Sequence, residues 1–240
     1  MDGLLIDSEN VYTVVTNSIL GRYGRKMTWD MKAGCMGKTE LQASEHIMSF
    51  FPDIDLTVDQ YTRERRALQD ASWPTVDPLP GVEKLVGHLR AHGIPIAVAT
   101  GSTRASFLLK TAHLGSLFDL FDGNIVCGDD ERIAPGRGKP NPDVFLVAAR
   151  SLGRKVGEGD VGQAGPEEKL ERSKGLVFED AIPGVIAGTS AGMNVVWIPD
   201  PELTVLYPPS EVATSATLNT LEDFVPEEWG LPPYSPPGSD

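Results

Sequence analysis

Two adjacent carboxylates, Glu179 and Asp180, follow directly on the apolar run Leu176-Val177-Phe178. At the end of a buried strand such a pair repels itself and loses hydration, a cost that a metal ion removes. Three other polar groups stand in comparable places. Asp2 precedes Gly3 in the opening stretch Met1-Asp2-Gly3-Leu4-Leu5-Ile6-Asp7-Ser8-Glu9, Thr100-Gly101-Ser102 follows Ile96-Ala97-Val98-Ala99, and Lys139 stands in Gly138-Lys139-Pro140-Asn141-Pro142-Asp143. Each alone has a plainer reading: a capped turn, a turn into a helix, a solvated lysine. Together they make a kit for phosphoryl transfer. The Thr100 hydroxyl and the Gly101 N–H can bond phosphate oxygens, with glycine leaving room for close approach. Lys139 supplies a cation opposite the phosphate. Glu179 and Asp180 offer the hard oxygens that suit Mg²⁺. Catalysis of this kind is mostly positioning and charge stabilisation.

Sites in open parallel sheets form beyond the carboxyl ends of strands. The chain supplies such strands. After a proline-rich hinge at Ser72-Trp73-Pro74 and Pro78-Leu79-Pro80-Gly81, apolar runs alternate with helical patterns. The runs at 94–99, 125–127, 176–178 and 195–198 read as buried strands, with Pro95 near the start of the first. The segments 81–92, 105–114, 142–152 and 184–191 read as helices, the third with Asn141 as cap and Pro142 in its first turn. This alternation argues for an α/β domain with a parallel sheet covered on both faces. Ahead of the hinge the pattern is helical, over 9–23, 29–36, 39–50 and 58–71, and Asp7 or Ser8 is the expected first cap. The expected organisation is a discontinuous core of 1–9 and 79–225, a helical insert over 10–78 and a proline-rich tail over 226–240. Residues 154–174, charged and Gly-rich, read as a surface insertion, and the tail reads as loosely packed.

Composition narrows the functions. With 240 residues and 40% hydrophobic content the chain can bury one core and a smaller second one. A net charge of −13 repels phosphate backbones, so nucleic acid is excluded as a partner while a small phosphate ester is not. No apolar run reaches the roughly 18 residues of a membrane span. Cys35 and Cys127 form no metal or redox spacing, which suits a cytoplasmic protein with free thiols.

Taken in order, Asp2-Gly3 with the residues to Glu9, Ala99-Thr100-Gly101-Ser102, Gly138 to Asp143, and Val177-Phe178-Glu179-Asp180-Ala181 resemble the four motifs of the haloacid dehalogenase (HAD) superfamily. Leu79-Pro80-Gly81, His92-Gly93-Ile94-Pro95, Gly128-Asp129-Asp130, Val195-Val196 through Pro199-Asp200, and Gly230-Leu231-Pro232 are similar to its pseudouridine-5′-phosphatase branch. So are Tyr23, Trp29 and Met36-Gly37-Lys38 of the insert. The likeness runs nearly end to end. It implies a Rossmann-like parallel-sheet core with an inserted helical cap that closes over the substrate. It implies that Asp2 is the general acid/base and that its backbone carbonyl binds Mg²⁺ with Glu179 and Asp180. It also implies that Thr100, Gly101 and Lys139 hold the phosphate, and that Gly37 and Lys38 are candidates for reading the substrate in the cap. The expected substrate is a small phosphorylated metabolite, with pseudouridine 5′-phosphate first. A catalytically inactive binding protein and a sugar-phosphate phosphomutase share these motifs and remain alternatives.

The family pattern reads Asp-x-Asp-Gly, and its first Asp becomes an aspartyl phosphate. Met1 stands at the x, so that nucleophile is expected one position ahead of Met1, at the end of a strand that the given residues lack. On that reading the residues as given should fold loosely and turn over little.

Overall fold

The computed structural model describes residues 1–36 and 38–235; Gly37, expected in the cap loop, and tail residues 236–240 lie outside the described residues. The N-terminal part is helical: α1 (Ser8–Gly21), α2 (Trp29–Ala33), α3 (Glu40–Ser49) and α4 (Val58–Ser72). Asp7 caps α1, accepting from Asn10 N. Its start at Ser8 places the expected boundary at residue 10 inside its first turn. Thr39 and Thr57 open α3 and α4 with reciprocal capping boxes to Gln42 and Gln60, so the first orphan N–H groups are satisfied locally. The helices enclose their own apolar cluster of Val15, Ile19, Leu20, Ile47, Met48, Phe51 and Tyr61. The two connections to the rest of the chain run side by side, with Asp7 N donating to Asp77 O at 3.0 Å and Leu79 N to Leu5 O at 3.1 Å.

Beyond this hinge the chain alternates. α5 (Val82–Ala91) precedes β1 (Val98–Ala99), and α6 (Arg104–Thr111) with the short α7 (Gly115–Phe118) precedes β2 (Ile125–Val126). α8 (Asp143–Ser151) and α9 (Pro166–Arg172) lead to β3 (Leu176–Glu179), and α10 (Ile182–Ala191) leads to β4 (Asn194–Trp197). The short α11 (Leu203–Leu206) precedes β5 (Ala216–Thr217). All pairings between these strands are parallel, in two sheets of order β1-β2 and β3-β4-β5. β4 is buried through Val195, Val196 and Trp197, the pattern of a strand covered on both faces. α10 lies close on the sheet because Gly188 has no side chain: a Cβ there would come 2.8 Å from Val195 and 3.3 Å from Val177. The fold is α/β with parallel sheets and helical cover, and among the described residues no helix is long and apolar enough to cross a membrane.

Several local expectations change. The strand expected over 94–99 pairs only at Val98–Ala99, since Pro95 has no N–H to give a ladder. The helix expected over 105–114 ends at Thr111, and a separate turn begins at Gly115. Asn141 does not cap α8; Pro142 holds the cap position, and the Asn141 amide donates to Gly138 O at 3.0 Å. The segment 154–174 is no passive insertion. It contains α9, whose fully buried Arg172 donates to the carbonyls of Val156 (2.6 Å), Glu158 (3.0 Å) and Gly159 (2.9 Å) and ties the loop to the core. The tail is not loose up to residue 235. Trp229 stacks on Phe224, a His88 ring nitrogen bonds Pro232 O at 2.8 Å, and the Lys84 ammonium lies 3.9 Å from the Tyr234 ring centroid. The docked surface is α5, which therefore has cover on a face that the sequence left to solvent.

Candidate active site

The opening residues coil tightly. Met1 O accepts from the amides of Leu4, Leu5 and Ile6, and Gly3 at φ +65 donates to Ser8 Oγ at 3.0 Å. Only glycine takes that φ cheaply. The coil turns the Asp2 carboxylate toward α6. There Asp2 Oδ1 accepts from Lys110 Nζ at 2.5 Å, and Oδ2 accepts from Ser102 Oγ at 2.8 Å. Lys110 Nζ also donates to Tyr12 OH at 2.8 Å and Ser102 Oγ at 3.3 Å, which uses its three N–H groups. Its ammonium lies 4.8 Å from the Trp73 ring centroid. Lys110 is 3% exposed, so the partners decide its charge. Burial lowers its basicity, but the Asp2 carboxylate and the Tyr12 hydroxyl more than reverse this and raise it. Burial pushes the Asp2 carboxyl up, and the ammonium groups of Lys110 and Met1, with the hydrogen bonds, outweigh that and hold it below the ordinary range. Tyr12 is pushed up to about 12 by burial and by the Asp2 charge.

The second cluster forms where β1 and β3 end. Lys139 Nζ donates to Ala99 O at 3.2 Å and pairs with the Glu179 carboxylate, bridging the two strand ends. Glu179 is buried and occupies the space that Gly184 leaves open, where a Cβ would come 2.1 Å from its carboxylate carbon. Asp180 is fixed by its backbone, whose carbonyl accepts from Trp197 Nε1 at 2.8 Å. Its carboxylate lies against Gly3, where a Cβ would sit 2.5 Å from Oδ2. Among the described residues its side chain has neither an ion pair nor a hydrogen bond, and burial together with the Glu179 charge pushes its carboxyl up to about 8. The Met1 amine is buried among Lys139, Glu179, Asp2 and Asp180; burial and the Lys139 charge lower its basicity.

Thr100 is buried, with Oγ1 accepting from Ser102 N at 3.1 Å, while Gly101 is exposed with no atom within 4 Å of where a Cβ would stand. The structure thus gathers Asp2, Thr100, Gly101, Lys139, Glu179 and Asp180 at one end of the sheets. Lys38 stands apart. It is exposed in the cap loop, with its N–H on Cys35 O at 3.1 Å, and forms no ion pair with these groups.

A model of the haloacid dehalogenase-like hydrolases matches residues 1–192. The chain belongs to that family. It is 39% identical over 235 residues to (DL)-glycerol-3-phosphatase 2 of Arabidopsis thaliana, covering 98% of this chain and 90% of that protein. It is 36% identical over 235 residues to a Saccharomyces cerevisiae protein named probable pseudouridine-5′-phosphatase, covering 96% and 94%. A crystal structure of a HAD family hydrolase from Deinococcus radiodurans, with bound phosphate and sodium, superposes with a TM-score of 0.73 at 22% identity over 97% of this chain and 95% of that one.

For a HAD-like hydrolase the lysine on α6 is the surprise. Sequence reading passed over Lys110, Tyr12 and Ser102. A signal existed, because Lys110 occupies a buried position of α6 beside Phe107 and Thr111. A lysine on the inner face of an amphipathic helix calls for a buried acid. The chemistry of the donors also bears on Mg²⁺. Among the described residues no three of His, Cys, Asp or Glu converge. Asp180, a half-buried carboxyl with no ion pair among the described residues, and the Asp2 carbonyl, which no described N–H approaches within hydrogen-bond distance, are hard oxygens that fit a divalent ion. Glu179 fits less well, since its carboxylate is already neutralised by Lys139.

Proposed function

We propose that this hydrolase is a Mg²⁺-dependent phosphomonoesterase of small phosphorylated metabolites, with pseudouridine 5′-phosphate the first candidate substrate. The observation that carries the reading is Lys139, held between the ends of β1 and β3 beside the open edge at Gly101. A half-buried cation next to unobstructed backbone at a strand end suits a phosphate cradle. Thr100 shapes the loop, Gly101 N–H meets the phosphate, and Glu179 positions Lys139. Asp180 and the Asp2 carbonyl hold the ion, which when bound neutralises charge on the phosphoryl oxygens.

In the family pattern a carboxylate at the position ahead of Met1 attacks phosphorus while the ester P–O bond breaks. Asp2 gives the leaving oxygen its proton, then takes one from the water that cleaves the aspartyl phosphate. Asp2 as observed is ionised, the form that activates water. To act as acid it must gain a proton away from Lys110, and Lys110 is shared with Tyr12 on α1. Residues 10–78 accordingly act as a cap whose motion reaches Asp2 through α1. The second reading, glycerol 3-phosphate as substrate, is favoured by the likeness to the Arabidopsis relative. The free thiols of Cys35 and Cys127 support a cytoplasmic location.

The test is p-nitrophenyl phosphate turnover, with Mg²⁺ and with a chelator, by the protein bearing Asp or Asn at the position ahead of Met1. Turnover should need both Asp and Mg²⁺. Equal turnover with Asn sinks the covalent route, and no turnover on any phosphate ester favours a binding protein.

A further inference from the structure

Among the described residues one side chain hydrogen-bonds the backbone of the acidic turn from Glu179 to Ile182. It is Trp197, whose Nε1–H donates to Asp180 O at 2.8 Å. The sheet puts it there. β4 is the central strand of β3-β4-β5, and the register sets Trp197 between Glu179 on one side and Thr217 on the other. Ile198 N donates to Glu179 O at 2.7 Å and Leu218 N to Trp197 O at 2.9 Å, so the strand is tied on both flanks at this level. The indole is fully buried, in the cluster that contains Val126, Phe145 and Leu203. An apolar ring would fill that space as well. The indole adds one donor, and it spends that donor one residue beyond the end of β3.

The two acids of the turn are fixed by different means. Glu179 is held by its side chain, through the pair with Lys139 and the space that Gly184 leaves for it. The Asp180 side chain has neither kind of support. Its carboxylate rests against Gly3, where a Cβ would come 2.5 Å from Oδ2. Its direction is therefore set by its backbone. Glu179 O is tied to β4, and Ala181 O accepts from Gly184 N at 3.0 Å and Val185 N at 3.1 Å at the start of α10. Between those two ties, Asp180 O has the indole alone.

We propose that Trp197 is a positioning residue for the cation. Its indole N–H holds the Asp180 peptide and so keeps the carboxylate against the Asp2-Gly3 turn, whose Asp2 carbonyl is the other oxygen that fits the ion. The inference rests on the phosphatase reading for the presence of that ion. Contacts one step behind a metal ligand orient it, and their loss weakens metal binding about 10–100-fold.

The experiment separates the N–H from the shape of the ring. Benzothienylalanine, placed at position 197 of the full chain by amber suppression, keeps the bicyclic ring and puts sulfur in place of N–H. Trp197→Phe is the second variant and Asp180→Asn the reference. Mg²⁺ binding is read by calorimetry, and the melting-temperature shift with Mg²⁺ is taken against each protein's own Mg²⁺-free value. Both changes at 197 should weaken Mg²⁺ binding about tenfold and shrink that shift. On the Asp180→Asn background the benzothienylalanine change should alter Mg²⁺ affinity by less than about twofold, because both act through one peptide. If Trp197→Phe does not fold, the benzothienylalanine protein decides. Wild-type Mg²⁺ affinity in that protein overturns the inference, as does a full tenfold loss on the Asp180→Asn background. Turnover is read separately on p-nitrophenyl phosphate with Asp ahead of Met1. The Mg²⁺ concentration for half-maximal rate should rise about tenfold, with kcat at saturating Mg²⁺ within about twofold. Mg²⁺ binding that depends on Asp180 and on the indole N–H, without any turnover, sinks the phosphatase reading alone. Turnover whose Mg²⁺ dependence ignores the indole N–H sinks the Trp197 inference alone.

Discussion

Asp2 and Asp180 flank the same buried Met1, and their carboxyl groups are driven in opposite directions. Asp2 has an ammonium at 2.5 Å, shared with two hydroxyls, and a hydroxyl donor at 2.8 Å, and is held ionised. Asp180 shares its surroundings with Glu179, which has already taken the one lysine, and its carboxyl is pushed up to about 8. Burial raises both; the difference is the direct partners, a lysine and a hydroxyl bonded to the Asp2 carboxylate and none bonded to that of Asp180 among the described residues. The first setting holds a carboxyl ionised, ready to take a proton from water rather than to give one. The second leaves a carboxyl short of a cation, a deficit that a divalent ion would make up.

Breaking the balanced cluster should have the largest effect. Lys110→Met leaves Asp2 buried without its ion-pair partner, and removing one member of such a pair costs about 3–5 kcal/mol. Urea unfolding should show that loss, because Lys110 is almost fully buried while Asp2 keeps only partial access to water. A change below about 1 kcal/mol, the range of a surface pair, would show that the cluster is open to solvent. In the other cluster, Lys139→Ala should raise the barrier of phosphate-ester turnover by about 3 kcal/mol, measured as kcat/KM on p-nitrophenyl phosphate. Wild-type turnover in that variant would make Lys139 a structural tie between β1 and β3 and no more.

The same contrast explains what the sequence could show. Thr100, Glu179 and Asp180 were legible because they follow short apolar runs, and Asp2 and Lys139 because they stand beside glycine in turns that lead into helices. Lys110 was not, because it lies in the last turn of a helix, 108 residues from Asp2, and only the fold makes them neighbours. Residues 154–174 misled by composition: glycines and charges suggested a surface loop, but Arg172 turns inward to collect carbonyls that the loop cannot satisfy itself.

A pH series sharpens the comparison with an effect that is small per pH unit. The ordinary Asp value is 3.8, and Asp180 in the folded protein is raised to about 8. The native state therefore keeps a proton that the unfolded chain has lost. The stability linked to it is fully present below about pH 4 and is lost as pH rises toward 8, at no more than about 1.4 kcal/mol per pH unit. Asp180→Asn should flatten that slope in urea melts between pH 4.5 and 8.5. On the proposed reading Mg²⁺ takes the place of the proton, so it should raise the melting temperature of wild type at pH 8 and not that of Asp180→Asn. An equal Mg²⁺ shift in both proteins would move the ion away from Asp180. Asp2 predicts the opposite sign, with stability present above its unfolded value and lost as pH falls through its lowered folded one.

The smallest effect concerns two glycines that touch. A Cβ at Gly128 would come 2.4 Å from Gly101 O, so Gly128→Ala must move the backbone that carries the Thr100 loop. It should cost about 1–3 kcal/mol in unfolding free energy. A Cβ at Gly101 meets nothing within 4 Å, and Gly101 is not at positive φ. Gly101→Ala should therefore leave stability unchanged or raise it by up to about 1 kcal/mol, since alanine narrows the unfolded ensemble. The open space beside Gly101 is where the phosphate reading puts an oxygen, so the same methyl group should weaken competitive inhibition by inorganic phosphate several-fold. A Gly101→Ala protein that binds phosphate as well as wild type would place the anion elsewhere along the sheet edge. The cradle at Lys139 would then have to be filled from the Asp180 side.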